Sequence, residues 1–235
     1  MNKKEESKGG YFIMGTTDGT VKKTEISAYS NVRKNGIIAI SLNGVNRLSW
    51  VRVSGGEHNV LLVTAKAQAI LFKESDIRST GRSAAGVRGM RLRPDDRIVA
   101  MDVISAEQLA HDQMIVVFEN GFGKRSPLSH FDIQGRGGMG IKAGAITAKG
   151  GGIVYAAIVD DTHAELLMIS KSGTVLKLAM NSVKSLGRVT QGVTLMRLGK
   201  DDKVASAALL LKAVDGEELV TNSVDEQAVI DKAAE

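Results

Sequence analysis

Cations recur at fixed places along this chain, and they are the side chains whose types and spacing best support chemistry. Lys22-Lys23 and Lys124-Arg125 each begin three residues after a glycine, Gly19 and Gly121. Lys177 follows Gly173 at the place of the second member of those pairs, and Lys73 stands somewhat displaced after Ala67. A second set occupies the loop beyond each of these: Arg33-Lys34, Arg78 with Arg82, Arg136, and Lys184 with Arg188. Solubility requires charge but not registered placement. Registered lysine and arginine suit contact with a phosphate backbone, which is largely independent of base sequence. The chain has one Trp, three Tyr and five Phe, and none interleaves the basic loops, so a stacking platform for single strands is disfavoured.

Other chemistries fare worse. Gly135-Arg-Gly-Gly-Met-Gly140 satisfies a dinucleotide fingerprint, but that site needs a helix to receive the pyrophosphate, and Ile141–Ile146 reads as a strand. Gly150-Gly-Gly152 lacks the Lys-Ser or Lys-Thr of a phosphate loop. His58, His111, His130 and His163 are scattered, which gives no metal-ligand spacing. Of the acidic pairs Asp95-Asp96, Asp160-Asp161 and Asp201-Asp202, two share one hairpin position, the signature of turn residues. Tyr11, Tyr29 and Tyr155 have no acid or base constellation around them, and Trp50 reads as core. The chain is therefore expected to be non-catalytic, with no metal and no cofactor.

The elements that must position the cations come from repetition. Four segments align, approximately residues 11–53, 59–104, 113–159 and 165–210. Each opens on an apolar run and turns at a small residue, Gly19, Ala67, Gly121 or Gly173; these lie 48, 54 and 52 positions apart. A second glycine follows at Gly36, Gly86, Gly140 and Gly192, after 17 residues in the first repeat and 19 in the rest. Beyond it the residues alternate, as in Val87–Leu92 and Val193–Leu198, which predicts a half-buried strand with one basic or polar face. A tight turn and a closing apolar strand complete the unit, at Leu48–Val53, Ile98–Val103, Ile153–Ile158 and Val204–Leu210. Four strands per unit of about 50 residues predict a bladed, radially repeated all-β domain over 11–211. Residues 1–10 read as a linker. Residues 212–235 read as a flexible acidic tail of net charge −5, with at most a short helix near its end.

Composition agrees. The 26 glycines among 235 residues exceed average usage and call for many turns, while the near absence of proline rules out collagen-like order. The absence of cysteine excludes a disulfide scaffold and fits a reducing cytoplasm, and no apolar run is long enough to span a membrane. The net charge of +5 conceals +14 in the four repeats against −9 elsewhere. If the blades are arranged about an axis, equivalent cations form one positive rim.

The motifs Gly19-Thr-Val-Lys-Lys-Thr24, Asn31–Ile40, Phe72–Arg78 with Gly86–Leu92, Asn120-Gly-Phe-Gly-Lys-Arg125 and Gly187–Leu195 resemble the C-terminal DNA-wrapping domain of bacterial DNA gyrase A. The resemblance spans nearly all of residues 11–210. It implies a β-pinwheel, a propeller-like fold of four-stranded blades that exchange strands, and a function in bending and wrapping duplex DNA to promote supercoiling by a type II topoisomerase. The implied partners are duplex DNA, the remainder of gyrase A, and the ATPase B subunit, in the bacterial cytoplasm at the nucleoid. The family usually has about six blades, of which these resemble the last four, so the repeats correspond either to a domain lacking its first blades or to a naturally reduced one. Its Gln-basic-Arg-Gly-Gly-basic-Gly box, normally in the first blade, survives in degenerate form as Gln134, Gly135, Arg136, Gly137, Gly138, Met139 and Gly140 in the third repeat. Two alternatives stand beside this reading: the topoisomerase IV A-type C-terminal domain, and a bladed protein-interaction module whose basic loops meet an acidic protein. On the wrapping reading, reversing Lys22-Lys23 and Lys124-Arg125 to Glu is expected to abolish DNA binding without unfolding.

Overall fold

The computed structural model describes residues 9–32, 34–44 and 46–212, together with the backbone of 220–221. Residues 1–8 of the predicted linker, Arg33 and most of the predicted tail lie outside the described residues. The chain divides into two compact units: Met1–Ala110 with Phe131–Lys142, and His111–His130 with Ala143–Glu235. Each holds two small sheets, and the described structure is all-β apart from one short α-helix and four 3-10 turns.

In the first unit, β1 (Tyr11–Thr16) pairs with β2 (Thr20–Glu25) as a hairpin and with β3 (Leu48–Ser54) on its other edge. The second sheet repeats this with β4 (Asn59–Thr64), β5 (Gln68–Lys73) and β7 (Ile98–Ile104). In the second unit the same pattern recurs in β8 (Gln113–Phe118), β9 (Phe122–Pro127) and β12 (Ile153–Val159), then in β13 (His163–Ser170), β14 (Val175–Ala179) and β16 (Val204–Leu211). Alternating Val, Ile, Leu and Met fill one core per unit. Ile13, Val60, Leu62, Phe72 and Met101 anchor the first, and Ile115, Val117, Leu166, Met168 and Leu209 the second.

The fourth strand of a blade comes from the following repeat. β6 (Val87–Arg88) pairs with β2, β11 (Ile141–Lys142) with β5, and β15 (Val193–Thr194) with β9. A parallel contact precedes each: Ser79 against Lys23, β10 (Ile133–Gln134) against β5, and Ser185 against Arg125. The second glycine of the second, third and fourth repeats makes this exchange possible. A Cβ would meet Val21 O at 2.5 Å from Gly86, Ala69 O at 2.3 Å from Gly140, and Gly123 O at 2.4 Å from Gly192, all at positive φ. Only glycine lets the incoming backbone approach so closely.

The half-buried strand expected over Val87–Leu92 and Val193–Leu198 is shorter than its alternation suggests, at two residues each. Beyond them the backbone leaves the ladder: the N–H groups of Gly89 and Met90 both donate to Gly19 O, and those of Leu195 and Met196 both donate to Gly121 O. Met90 and Met196 are thereby pulled into the cores.

The first and fourth repeats depart from the exchange. The segment after Gly36 forms no strand among the described residues, and a Cβ on Gly36 would meet nothing within 4 Å. On the fourth blade, among the described residues, β14 pairs with β13 alone, and Val175 is 59% exposed where its counterparts Val21 and Ala69 are fully buried. Within the stretch read as a tail, β17 (Val220–Thr221) pairs with β16, which adds a strand where the sequence suggested none. Between the second and third repeats lies α1 (Ala106–His111), opened by a reciprocal cap in which Ser105 Oγ accepts from Gln108 N and Gln108 Oε1 accepts from Ser105 N, both at 3.1 Å.

Candidate nucleic-acid interface

Three of the cations singled out from sequence are buried. Lys22 and Lys124 have no exposed surface and Lys23 has 7%. Lys124 Nζ donates to Gly187 O at 2.7 Å and to Arg188 O at 2.5 Å. Lys22 Nζ donates to Ala39 O at 2.8 Å and to Arg82 O. Burial, and then the positive charge of Arg188, bring the Lys124 ammonium down to about 8. Burial, and then Arg82, lower Lys22 in the same direction. Lys23 Nζ lies 2.7 Å from Glu74 Oε1 and 4.1 Å from the centre of the Tyr11 ring. Glu74 itself is fully buried; it accepts from Ser54 Oγ and, at 3.2 Å, from His58 N. The charged ends of Lys22, Lys23 and Lys124 thus lie inside the blades, on loop carbonyls and on the Glu74 carboxylate. For the same reason, reversing them to Glu would disturb the fold.

The remaining predicted residues reach the surface to different degrees. Lys34, Lys73, Arg78, Lys177 and Lys184 are exposed, whereas Arg82, Arg125, Arg136 and Arg188 are half-buried; Arg33 lies outside the described residues. Arg125 Nε donates to Val183 O at 3.0 Å, Arg136 Nε to Asp76 O at 3.1 Å, and Arg82 to Ile38 O at 3.1 Å. Each thus braces a loop while keeping part of its guanidinium at the surface. Lys177 is ion-paired with Glu165 at 2.7 Å.

The box-like segment Gln134–Gly140 forms the loop that the third repeat lends to the second blade. Gln134 pairs with Phe72, Gly137 N donates to Gly89 O at 2.7 Å, and Gly138 O accepts from Arg91 N at 2.8 Å. Arg136 also donates to Arg88 O. These bonds bring Arg88, Arg91 and Arg136 into one loop cluster. Gly135 and Met139, at the positions where the family carries basic residues, are exposed.

Exposed cations on or beside the exchanged strands were not singled out from the sequence: Arg88 on β6, Arg91 beyond it, Lys142 on β11, and Arg197, which matches Arg91 in register. Alternation alone could not have found them, because Arg88 and Arg91 are three residues apart and would fall on opposite faces of a regular strand. Arg91 and Arg197 reach the surface where the chain has left the two-residue strands Val87–Arg88 and Val193–Thr194. Among the described residues, no carboxylate pairs with Lys73, Arg78, Arg88, Arg91, Lys184 or Arg197. Both units thus present unneutralised cations on or beside exchanged loops. Within those same residues, no group of three or more His, Asp or Glu could hold a metal, and no helix is long and apolar enough to cross a membrane.

The sequence profile of the DNA gyrase C-terminal domain, described as a β-propeller, matches residues 10–54, 58–105, 119–160 and 164–210, one stretch per repeat. The chain belongs to the DNA gyrase C-terminal domain family. It is 39% identical over 203 residues to the DNA gyrase A subunit of Staphylococcus epidermidis ATCC 12228, covering 86% of this chain and 22% of that protein. It is 36% identical over 225 residues to the corresponding protein of Staphylococcus aureus MRSA252, covering 96% of this chain and 24% of that protein. The chain therefore spans less than a quarter of the curated relatives it matches, and the match falls on the C-terminal domain, a non-catalytic region of a type II topoisomerase. Among solved structures, a DNA gyrase A C-terminal domain superposes with a TM-score of 0.74 at 26% identity, covering 89% of this chain and 68% of that one. The C-terminal domain of a DNA topoisomerase IV gives a TM-score of 0.80 at 21% identity, covering 98% of this chain and 68% of that one, a likeness of fold alone.

Proposed function

We propose that this domain binds duplex DNA through its exchanged basic loops and bends or wraps it, as the non-catalytic DNA-handling part of a gyrase-type topoisomerase. The observation that carries this reading is the set of unpaired cations, Arg78, Arg88 and Arg91 in one unit and Lys184 and Arg197 in the other, on or beside the loops that each repeat lends to its neighbour. Cations without carboxylate partners are available to displace condensed counterions from phosphates, and that release supplies most sequence-independent affinity. The chain has few aromatics, and among the described residues no base-reading helix accompanies these cations, which favours backbone contact over base readout. Bending 20–30 base pairs by 40–90° costs on the order of 1–6 kcal/mol, so several loops must act together.

In the whole enzyme this contact would deliver a DNA segment to the breakage domain of gyrase A, with the ATPase B subunit driving passage. Salt titration tests the reading. Affinity for duplex DNA should fall steeply with salt, with a logarithmic slope of about −0.9 per phosphate contacted. Affinity independent of salt and of DNA length would overturn it in favour of a protein partner.

A further inference from the structure

The third residue after the hairpin turn is Lys22, Ile70, Lys124 and Leu176 in the four repeats. Ile70 is fully buried in the core, so a blade is built as readily on an aliphatic side chain at this position. Lys22 and Lys124 occupy the same buried position but end on carbonyls of loops: Ala39 and Arg82 for one, Gly187 and Arg188 for the other. The charged groups facing these amines are Arg82 and Arg188, of like sign. A buried cation without a carboxylate partner is an expensive way to fill space, and replacing such groups with apolar ones is often neutral or stabilising. What an aliphatic side chain lacks is the ability to satisfy two loop carbonyls at once.

The neighbours of Lys124 act on the same loop. Arg125 Nε donates to Val183 O and Ser126 Oγ donates to Leu186 O at 2.8 Å, so three successive residues of β9 hold residues 183–188. Leu186 N in turn donates to Arg125 O at 2.9 Å. This loop carries Lys184 and Arg188, and its equivalent in the first unit, residues 77–82, carries Arg78 and Arg82.

We propose that Lys22 and Lys124 are positioning residues of the DNA interface: their buried ammonium groups hold the exchanged basic loops in one docked arrangement and touch no DNA themselves. This rests on the reading that those loops contact DNA. The two lysines set the geometry in which the surface cations meet successive phosphates, and pre-organised contacts bind more tightly than the same contacts made by a loose loop.

The test uses the full chain with Lys124→Met, the independent variant Lys22→Ile that copies the second repeat, and Lys184→Met as a surface control. Amide hydrogen exchange and fluorescence anisotropy with a linear duplex provide the readouts. Lys124→Met should keep or raise the thermal midpoint and speed exchange at Leu186 and Thr190. It should weaken duplex affinity on the order of tenfold, as expected when a loop's phosphate contacts are lost. Lys184→Met should weaken affinity while leaving exchange unchanged. Unchanged loop exchange in Lys124→Met overturns the clamp, and faster exchange with unchanged affinity overturns its role in binding. Should Lys124→Met unfold, Lys124→Leu, which copies the fourth repeat, replaces it; unfolding of that variant and of Lys22→Ile would assign these lysines to the fold alone and overturn the proposal. A wild-type chain that binds no duplex would sink the DNA reading, while the exchange data would still report on the clamp.

Discussion

Gly86 and Gly36 occupy the same place in their repeats, lie in the same unit and share a left-handed conformation, with φ of +91° and +75°. Replacing either with alanine forces a Cβ into a region that costs L-residues about 1–2 kcal/mol. For Gly36 the cost ends there, because a Cβ would meet nothing within 4 Å. For Gly86 the methyl would sit 2.5 Å from Val21 O, about 0.9 Å inside ordinary contact, and 3.1 Å from Lys22 Cβ. Both obstacles are backbone-anchored, so β6 must withdraw from β2 and give up the Thr20–Arg88 and Val21–Val87 pairings. Two lost ladder hydrogen bonds at about 1 kcal/mol each raise the total for Gly86→Ala to roughly 3–4 kcal/mol, against roughly 1–2 for Gly36→Ala. Urea unfolding followed by tryptophan fluorescence of Trp50 measures both, since Trp50 packs against the first core. Equal midpoint shifts for the two variants would refute the view that the second glycine serves strand exchange and not merely a turn.

Further expectations concern charge. Lys23→Met strands the buried Glu74 carboxylate and should cost about 3–5 kcal/mol, much of it recovered in Lys23→Met/Glu74→Gln, which a thermal double-mutant cycle would show. Asp202 is held down to about 2, first by the Ser172 hydroxyl, which donates to its Oδ2 at 2.6 Å, and then by Ser170. A depressed carboxylate contributes stability above its unfolded value that is lost as pH falls toward the folded one, so its contribution should fade between roughly pH 4 and pH 2. NMR titration should show that low midpoint, and Ser172→Ala should raise it. Arg91→Glu and Arg197→Glu should weaken duplex binding with the fold intact and flatten the salt slope by about one contact each, as read by anisotropy at several salt concentrations. Lys22→Glu, by contrast, should unfold the first unit, seen as loss of the cooperative transition, because it buries a carboxylate against the carbonyls of Ala39 and Arg82.

Strand order within each repeat, the hairpin turns and the anchoring glycines were legible in the sequence because they rest on local rules: alternation, turn chemistry and repetition. The alternating Val87–Leu92 segment was legible as a strand but not in its length, because the chain must quit the ladder to cross to its own blade. The fate of the lysines was harder to read. A lysine stem packs like an aliphatic chain, and whether its amine ends in water or on a carbonyl depends on which loop the next repeat lays over it. One signal was available: Ile70 and Leu176 share the register of Lys22 and Lys124, which marks the position as core. Arg88, Arg91 and Arg197 were less legible, because strict alternation puts Arg88 and Arg91 on opposite faces and Arg197 on the face of Val193 and Leu195. Their lack of carboxylate partners became visible only in three dimensions.

Ligation of nicked circular DNA in the presence of the domain tests the central claim most directly. Wrapping predicts a shift in linking number that grows with the amount of domain bound and disappears at high salt together with binding. Saturated binding with no shift in linking number would contradict it, leaving simple contact in its place.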